Sequence, residues 1–172
     1  MKKAVIVSVL LAVVAGYCHS QEFGTGGNIC LQIDEHMFYL RYSHGRDIVA
    51  AFGEPARTEF HKNMKDGFHW NNYTYYACEG GLFNFTSSEE GNVIRIAVNS
   101  NFRKNILIFN VPMKELNYPA VVQLMRQHNL RNVLETGKSI YAATEDYSVS
   151  IDFHFNDELK LEWFDMYYEN PW

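Results

Sequence analysis

The chain has 172 residues, carries 15 basic against 20 acidic side chains for a formal charge of −5, and is 15% aromatic. An acidic chain without Lys/Arg clusters is a poor match for nucleic acid or anionic lipid, both of which reward basic patches. The length suits one ordinary domain or two small ones sharing a core, and so many aromatic rings must either fill that core or decorate a recognition surface.

The first twenty residues bear on compartment. Lys2 and Lys3 form a basic start, residues 4–15 run without a charge, and small or polar residues follow up to Ser20. That pattern reads as a secretory signal peptide over 1–20. The apolar run is too short to span a bilayer comfortably and no second run follows, so a secreted or periplasmic protein with no transmembrane span is expected. Val14-Ala15-Gly16-Tyr17-Cys18 approaches a lipobox, but Tyr17 stands where a small residue belongs, which argues against a lipid anchor on Cys18. Cys18 is removed or acylated in either case. Cys30 and Cys78 remain, and in an oxidising compartment they are expected to pair as a disulfide. Closing a loop of about 50 residues in this way would stabilise by about 4 kcal/mol.

In chain order, residues 21–28 are Gly-rich and read as a flexible lead-in. Extended segments follow at 29–33 and 36–42. A helix comes next: Ser43 can cap it, Ile48, Val49 and Phe52 share one face, and Gly53 and Pro55 stop it. Strands at 57–62 and 68–78 flank Asp66-Gly67, a hairpin signal. Gly80-Gly81 turns the chain into 82–86, and a polar turn over 87–92 leads into 93–98. There Ile94, Ile96 and Val98 alternate with Arg95, as in a strand with one buried face.

The second half repeats this order. Pro112 and Pro119 suit first helical turns, and Ala120, Val121, Leu124 and Met125 form an apolar stripe. Strands at 133–136, 138–144, 147–155 and 159–166 follow, the last two joined by Asn156-Asp157. Phe83-Asn84-Phe85 in the first half is echoed by Phe153-His154-Phe155 in the second. The expected fold class is α+β. It would consist of two tandem units, 29–100 and 101–172, each a helix or helix pair packed on a four-stranded antiparallel sheet.

The run from Asp47 to Pro55, ending Phe52-Gly53-Glu54-Pro55, with Trp70, Tyr73 and then Gly91-Asn92-Val93, resembles the SmpA/OmlA (BamE-like) outer-membrane assembly lipoproteins. The duplicated helix-plus-sheet order, the export and the size are similar to those of the secreted β-lactamase inhibitory proteins. The second unit lacks the glycine-proline helix stop. The resemblance implies a sheet surface that grips a partner protein, either as an inhibitor of an extracytoplasmic enzyme or as an envelope assembly component.

Catalytic patterns are thin. His61 and His69 flank the Asp66-Gly67 turn, but a two-residue loop would set them on opposite faces, unable to share a metal. Ser150, Asp152 and His154 share one strand face, yet same-face neighbours stand roughly 6.5 to 7 Å apart, too far for direct nucleophile-to-base bonding. Nothing resembles a phosphate-binding loop, a serine elbow or a zinc-protease helix, so neither enzyme activity nor a cofactor is expected.

The outward faces of the sheets remain. Taking Gly80-Gly81 as a two-residue loop pairs Cys78 with Phe83 and Tyr76 with Phe85, which puts Trp70, Tyr76 and Cys78 in the core. His69, Tyr73 and Tyr75 then face outward with Asn84 and Arg95. In the second sheet the same logic buries Val149, Ile151, Phe153, Leu159, Leu161 and Trp163. It leaves Ser150, Asp152, His154, Lys160, Glu162 and Phe164 outside. The expected partner-binding set is therefore His69, Tyr73, Tyr75, Arg95, Asp152, His154, Lys160, Glu162 and Phe164, a mixture typical of protein-recognition patches. The rival readings are the plain wet side of a sheet, a small hydrolase using Asp152 and His154, and an aromatic-lined glycan-binding module.

Overall fold

One strand pairing, between residues 95–99 and 163–167, decides the architecture. The computed structural model describes residues 30–64, 67–103 and 105–169. The expected signal peptide, Cys18, the lead-in and Asp66 of the first hairpin lie outside these residues.

The elements in chain order are β1 (Cys30–Ile33), β2 (His36–Tyr39), α1 (Gly45–Phe52), β3 (Arg57–Lys62), β4 (His69–Ala77), β5 (Gly81–Ser88) and β6 (Val93–Asn99). There follow β7 (Ile106–Ile108), β8 (Val111–Pro112), α2 (Tyr118–Gln127), β9 (Arg131–Thr136), β10 (Ser139–Ala143), β11 (Val149–Phe155) and β12 (Leu161–Tyr168). Because β6 pairs with β12, the strands of both halves form one antiparallel eight-stranded sheet, β3-β4-β5-β6-β12-β11-β10-β9. A second sheet, β2-β1-β7-β8, joins strands from the start of the first half to strands from the start of the second. This overturns the expected α+β fold of two tandem helix-on-sheet units: the described residues are mostly β, with two short α-helices and sheets of four and eight strands.

The helices have local causes. α1 starts at His44, which has extended backbone and offers no side-chain cap. Ser43, the expected cap, instead accepts a hydrogen bond from the Tyr39 amide at 2.9 Å. Its end is as the sequence suggests: Gly53 takes φ 80, and its amide donates to the Val49 carbonyl. In α2 the Asn117 side chain accepts from the Ala120 amide at 3.1 Å, a cap worth about 1 kcal/mol. Pro119 occupies the first turn, where its missing N–H costs nothing.

Both helices and the small sheet lie against one face of the large sheet. Ile48 of α1, Val121 and Leu124 of α2, and Leu31, Ile33 and Ile108 of the small sheet join Phe83, Phe85, Ile96, Ile151, Phe153 and Phe164 in a single buried cluster. Phe52 closes this core, with its ring 5.4 Å from Phe83 and 6.1 Å from Tyr75. Each large side chain removed from water here contributes about 1.5–3 kcal/mol, so this face is where the stability of the chain is made.

Two local features invert the expected sheet faces. The β4–β5 loop holds three residues, Cys78, Glu79 and Gly80, with Glu79 at φ 61 and Gly80 at φ 76, and it is closed by the pair Ala77 and Gly81. Tyr75 therefore opposes Phe83, and Tyr73 opposes Phe85. Compared with a two-residue loop the register moves by an odd number, and an odd shift exchanges the faces. Tyr75 is buried in the core and Tyr76 is 65% exposed, the reverse of the expectation.

On β12, a bulge sets Phe155 opposite Leu161 and His154 opposite Trp163, with Glu162 the extra residue. Beyond it the alternation flips, so Phe164 is fully buried against Phe153 while Trp163 leaves the core. Leu159, expected inside, sits in the preceding turn at φ 58 and is largely exposed.

The expected disulfide is not formed. Cys30 is buried in β1, whereas Cys78 is exposed in the β4–β5 turn, and the two are not joined. The three-residue loop is again the cause, since it lifts Cys78 off the sheet. No helix among the described residues is long and apolar enough to cross a membrane.

Candidate functional site

The face of the large sheet opposite the core is covered by no described helix or strand. Strand alternation projects onto it His61 from β3, Trp70, Asn72 and Tyr76 from β4, Thr86 from β5, and Arg95 from β6. Trp163, Asp165 and Tyr167 come from β12, Asp152 and His154 from β11, and Tyr141 from β10. The exposed Tyr76 and the half-buried Trp163 thus share a surface that crosses the junction between the two halves.

A cleft of about 550 Å³ opens at the middle of this face. Phe68, Trp70 and Tyr167 supply aromatic walls, Asn72 and Thr86 polar ones, and Arg95, Asp152 and Asp165 its charges. Trp70 stacks on His61 at 5.4 Å and on Phe68 at 5.8 Å between ring centroids. The Thr86 hydroxyl donates to Asn72 Oδ1 at 2.8 Å, which fixes that amide.

The charges are unevenly matched. Arg95 Nε donates to both carboxylate oxygens of Asp165, at 3.0 and 3.2 Å, and Nη2 adds a third bond to Oδ2. The Asp165 side chain is 7% exposed, and the hydrogen bond to it raises the guanidinium pKa further. Such a fork is the geometry a desolvated carboxylate needs. Asp152 stands directly opposite Asp165 across β11 and β12 and has no such partner. Burial pushes its carboxyl above the usual aspartate value, the negative charges of Asp165 and Glu169 add to that, and His154 and Arg95 only partly oppose it.

Beside the cleft lies a polar knot. The Tyr141 hydroxyl and Ser150 Oγ stand 2.8 Å apart, and both lie within hydrogen-bond distance of the Glu169 carboxylate, which accepts from them. Burial, and then the hydrogen bond with Tyr141, raise the Tyr167 hydroxyl well above the ordinary tyrosine range. The Tyr167 phenol therefore keeps its proton.

Of the expected binding residues, Arg95, Asp152 and His154 share the open face, and the first two line the cleft. Tyr73, Tyr75 and Phe164 belong to the opposite face. Tyr73 stacks on Phe85 at 4.4 Å, and the Tyr75 hydroxyl donates to the Gly53 carbonyl at 3.1 Å. Its phenol is pushed up to about 12, first by burial. His69 also points to the core side, next to Glu89 at 3.5 Å. Lys160 and Glu162 are exposed at the β11–β12 end, Lys160 paired with Glu158, and neither lines the cleft. Sequence reasoning missed Trp70, Asp165 and Tyr167. Asp165 carried a signal: a carboxylate inside the apolar run Trp163-Phe164-Asp165-Met166 requires a partner.

The hydrolase constellation takes a different form from that expected. The hydroxyl near His154 is Ser139, 2.9 Å from Nδ1, while Ser150 is committed to Tyr141 and Glu169. Among the described residues neither Asp152 nor another carboxylate hydrogen-bonds the imidazole to orient it as a general base would require. His61 and His69 lie on opposite faces, and no group of three metal-ligating side chains occurs among the described residues.

No family model matches the chain, and no curated protein matches it. Among solved structures the chain is similar to a DUF4309 family protein, YjgB, from Bacillus subtilis, at 15% identity over 76% of this chain and 81% of that one, with a TM-score of 0.43.

Proposed function

We propose that this is an exported, non-catalytic binding protein that grips a partner protein across the open face of its eight-stranded sheet. The observation that carries this reading is the contrast between the two faces. One is sealed by both helices and the small sheet, while the other leaves Trp70, Tyr76, Trp163 and Tyr167 among polar groups with nothing of the described chain over them. Surfaces rich in Trp, Tyr and Arg around a depression have the make-up of binding hot spots. The resemblance to inhibitory and envelope-assembly proteins points to the same kind of work, in a secreted or periplasmic setting.

The test is capture from an extracytoplasmic extract with immobilised wild type, followed by affinity measurement on the identified partner. Tyr76→Ala and Trp163→Ala should each weaken the complex by about 1–2 kcal/mol without changing the fold. Unchanged affinity for both, with the fold intact, would reduce this face to the wet side of a sheet.

A further inference from the structure

We infer that the cleft between β4 and β12 is built to receive a basic side chain, lysine or arginine, carried on an extended segment of the partner. This rests on the binding reading above and names the chemistry of its anchor point.

The first ground is charge complementarity. Two carboxylates and one guanidinium line the cleft, and that guanidinium is paired with Asp165 through Nε and Nη2. Among the described residues Asp152 accepts no hydrogen bond and has no ion pair within 4 Å. A half-buried carboxylate left unpaired carries a desolvation cost that an incoming cation removes.

The second ground is the walls. Phe68, Trp70 and Tyr167 make the walls aromatic, and aromatic rings attract a cation, most strongly when water is excluded. The third ground is size. About 550 Å³ exceeds one side chain and suits a basic residue with its flanking backbone, for which Asn72 and Arg95 stand ready as hydrogen-bonding groups. A neutral sugar would also stack on Trp70, but it would leave Asp152 without a countercharge.

The experiment titrates the full mature chain with N-acetylarginine amide, N-acetyllysine amide, N-acetylglutamine amide and the disaccharide cellobiose, reading tryptophan fluorescence and the shifts of the Trp70 indole by NMR. The expected result is saturable binding of the two basic probes, at least tenfold tighter than the glutamine probe, and lost by tenfold or more in Asp152→Asn. That variant is isosteric, and its circular dichroism checks the fold. Trp70→Leu should also weaken the basic probes. Saturable binding by cellobiose alone, equal binding of all probes, or a response untouched by Asp152→Asn would each overturn the inference. Because the probes act without the partner, their failure leaves the partner-binding reading standing, and failure of Tyr76→Ala and Trp163→Ala to affect the partner leaves the cleft result standing.

Discussion

Asp152 and Asp165 face each other directly across β11 and β12, and only Asp165 is held by a guanidinium. Side chains so placed have Cβ atoms about 4.5–5.5 Å apart, close enough for like charges to repel appreciably. The asymmetry separates a structural carboxylate from an unsatisfied one. Each has its own experimental signature.

Asp152 should cost stability at neutral pH. Its pKa is raised in the native state above the ordinary 3.8. Between those two values the native chain binds the proton more tightly than the unfolded one, so the stability associated with protonation is present below the window and lost as pH rises through it. The groups facing Asp152 are Asp165, Arg95, His154 and Glu169. Asp152→Asn should therefore raise the urea midpoint at pH 7 and leave it unchanged near pH 3. Urea melts of the variant and wild type at both pH values check this. A gain at pH 7 in a variant that has lost the basic probes would be the trade expected of a residue kept for binding.

Arg95 should behave oppositely. Its removal leaves Asp165 nearly buried and unpaired. Arg95→Ala is expected to destabilise by about 2 kcal/mol, the range for hydrogen bonds to charged groups, moderated because the guanidinium is half exposed. Chemical denaturation measures it.

The inverted register makes a sharp contrast between neighbours. Tyr75→Ala and Phe164→Ala each empty a buried site and should cost about 3–5 kcal/mol. Tyr76→Ala should stay within about 0.5 kcal/mol of wild type, since that ring stands in solvent. Thermal melts of the three variants discriminate the observed register from its one-residue slip.

The β4–β5 turn supplies a steric test. A Cβ on Gly81 would lie 2.7 Å from the Asn101 carbonyl oxygen and 2.8 Å from the Phe102 Cα. Gly81→Ala should destabilise by about 1–3 kcal/mol through overpacking. Gly80→Ala meets no atom within 4 Å but must hold φ +76, and should cost about 1 kcal/mol.

How much of this was legible in the sequence depends on what fixes each feature. Strand positions follow from local alternation, and β3 runs over the residues expected, Arg57–Lys62. The end of α1 is set locally, by Gly53 with Pro55 two residues on. The joining of β6 to β12 is a long-range pairing between halves, and no residue near either strand announces it. Face assignment failed where one residue changes the count. Glu79 accepts a left-handed backbone without being Gly or Asn, so the loop length was hidden. At Trp163-Phe164 two adjacent aromatics leave the alternation ambiguous, and the bulge at Glu162 resolves it in favour of Phe164. Arg95, Asp152 and His154 were legible because their strands carry strictly alternating neighbours. Trp70 and Tyr167 were not, because aromatic side chains suit either face of a sheet.

The most direct test of the account is site-specific photo-cross-linking of the partner complex, with p-benzoylphenylalanine placed at Tyr76 and Trp163 on the open face and at Tyr42 and Tyr147, exposed positions outside the candidate site. Covalent capture of one and the same partner is expected from Tyr76 and Trp163, and none from Tyr42 or Tyr147. Capture from the outside positions with none from the open face would contradict that expectation.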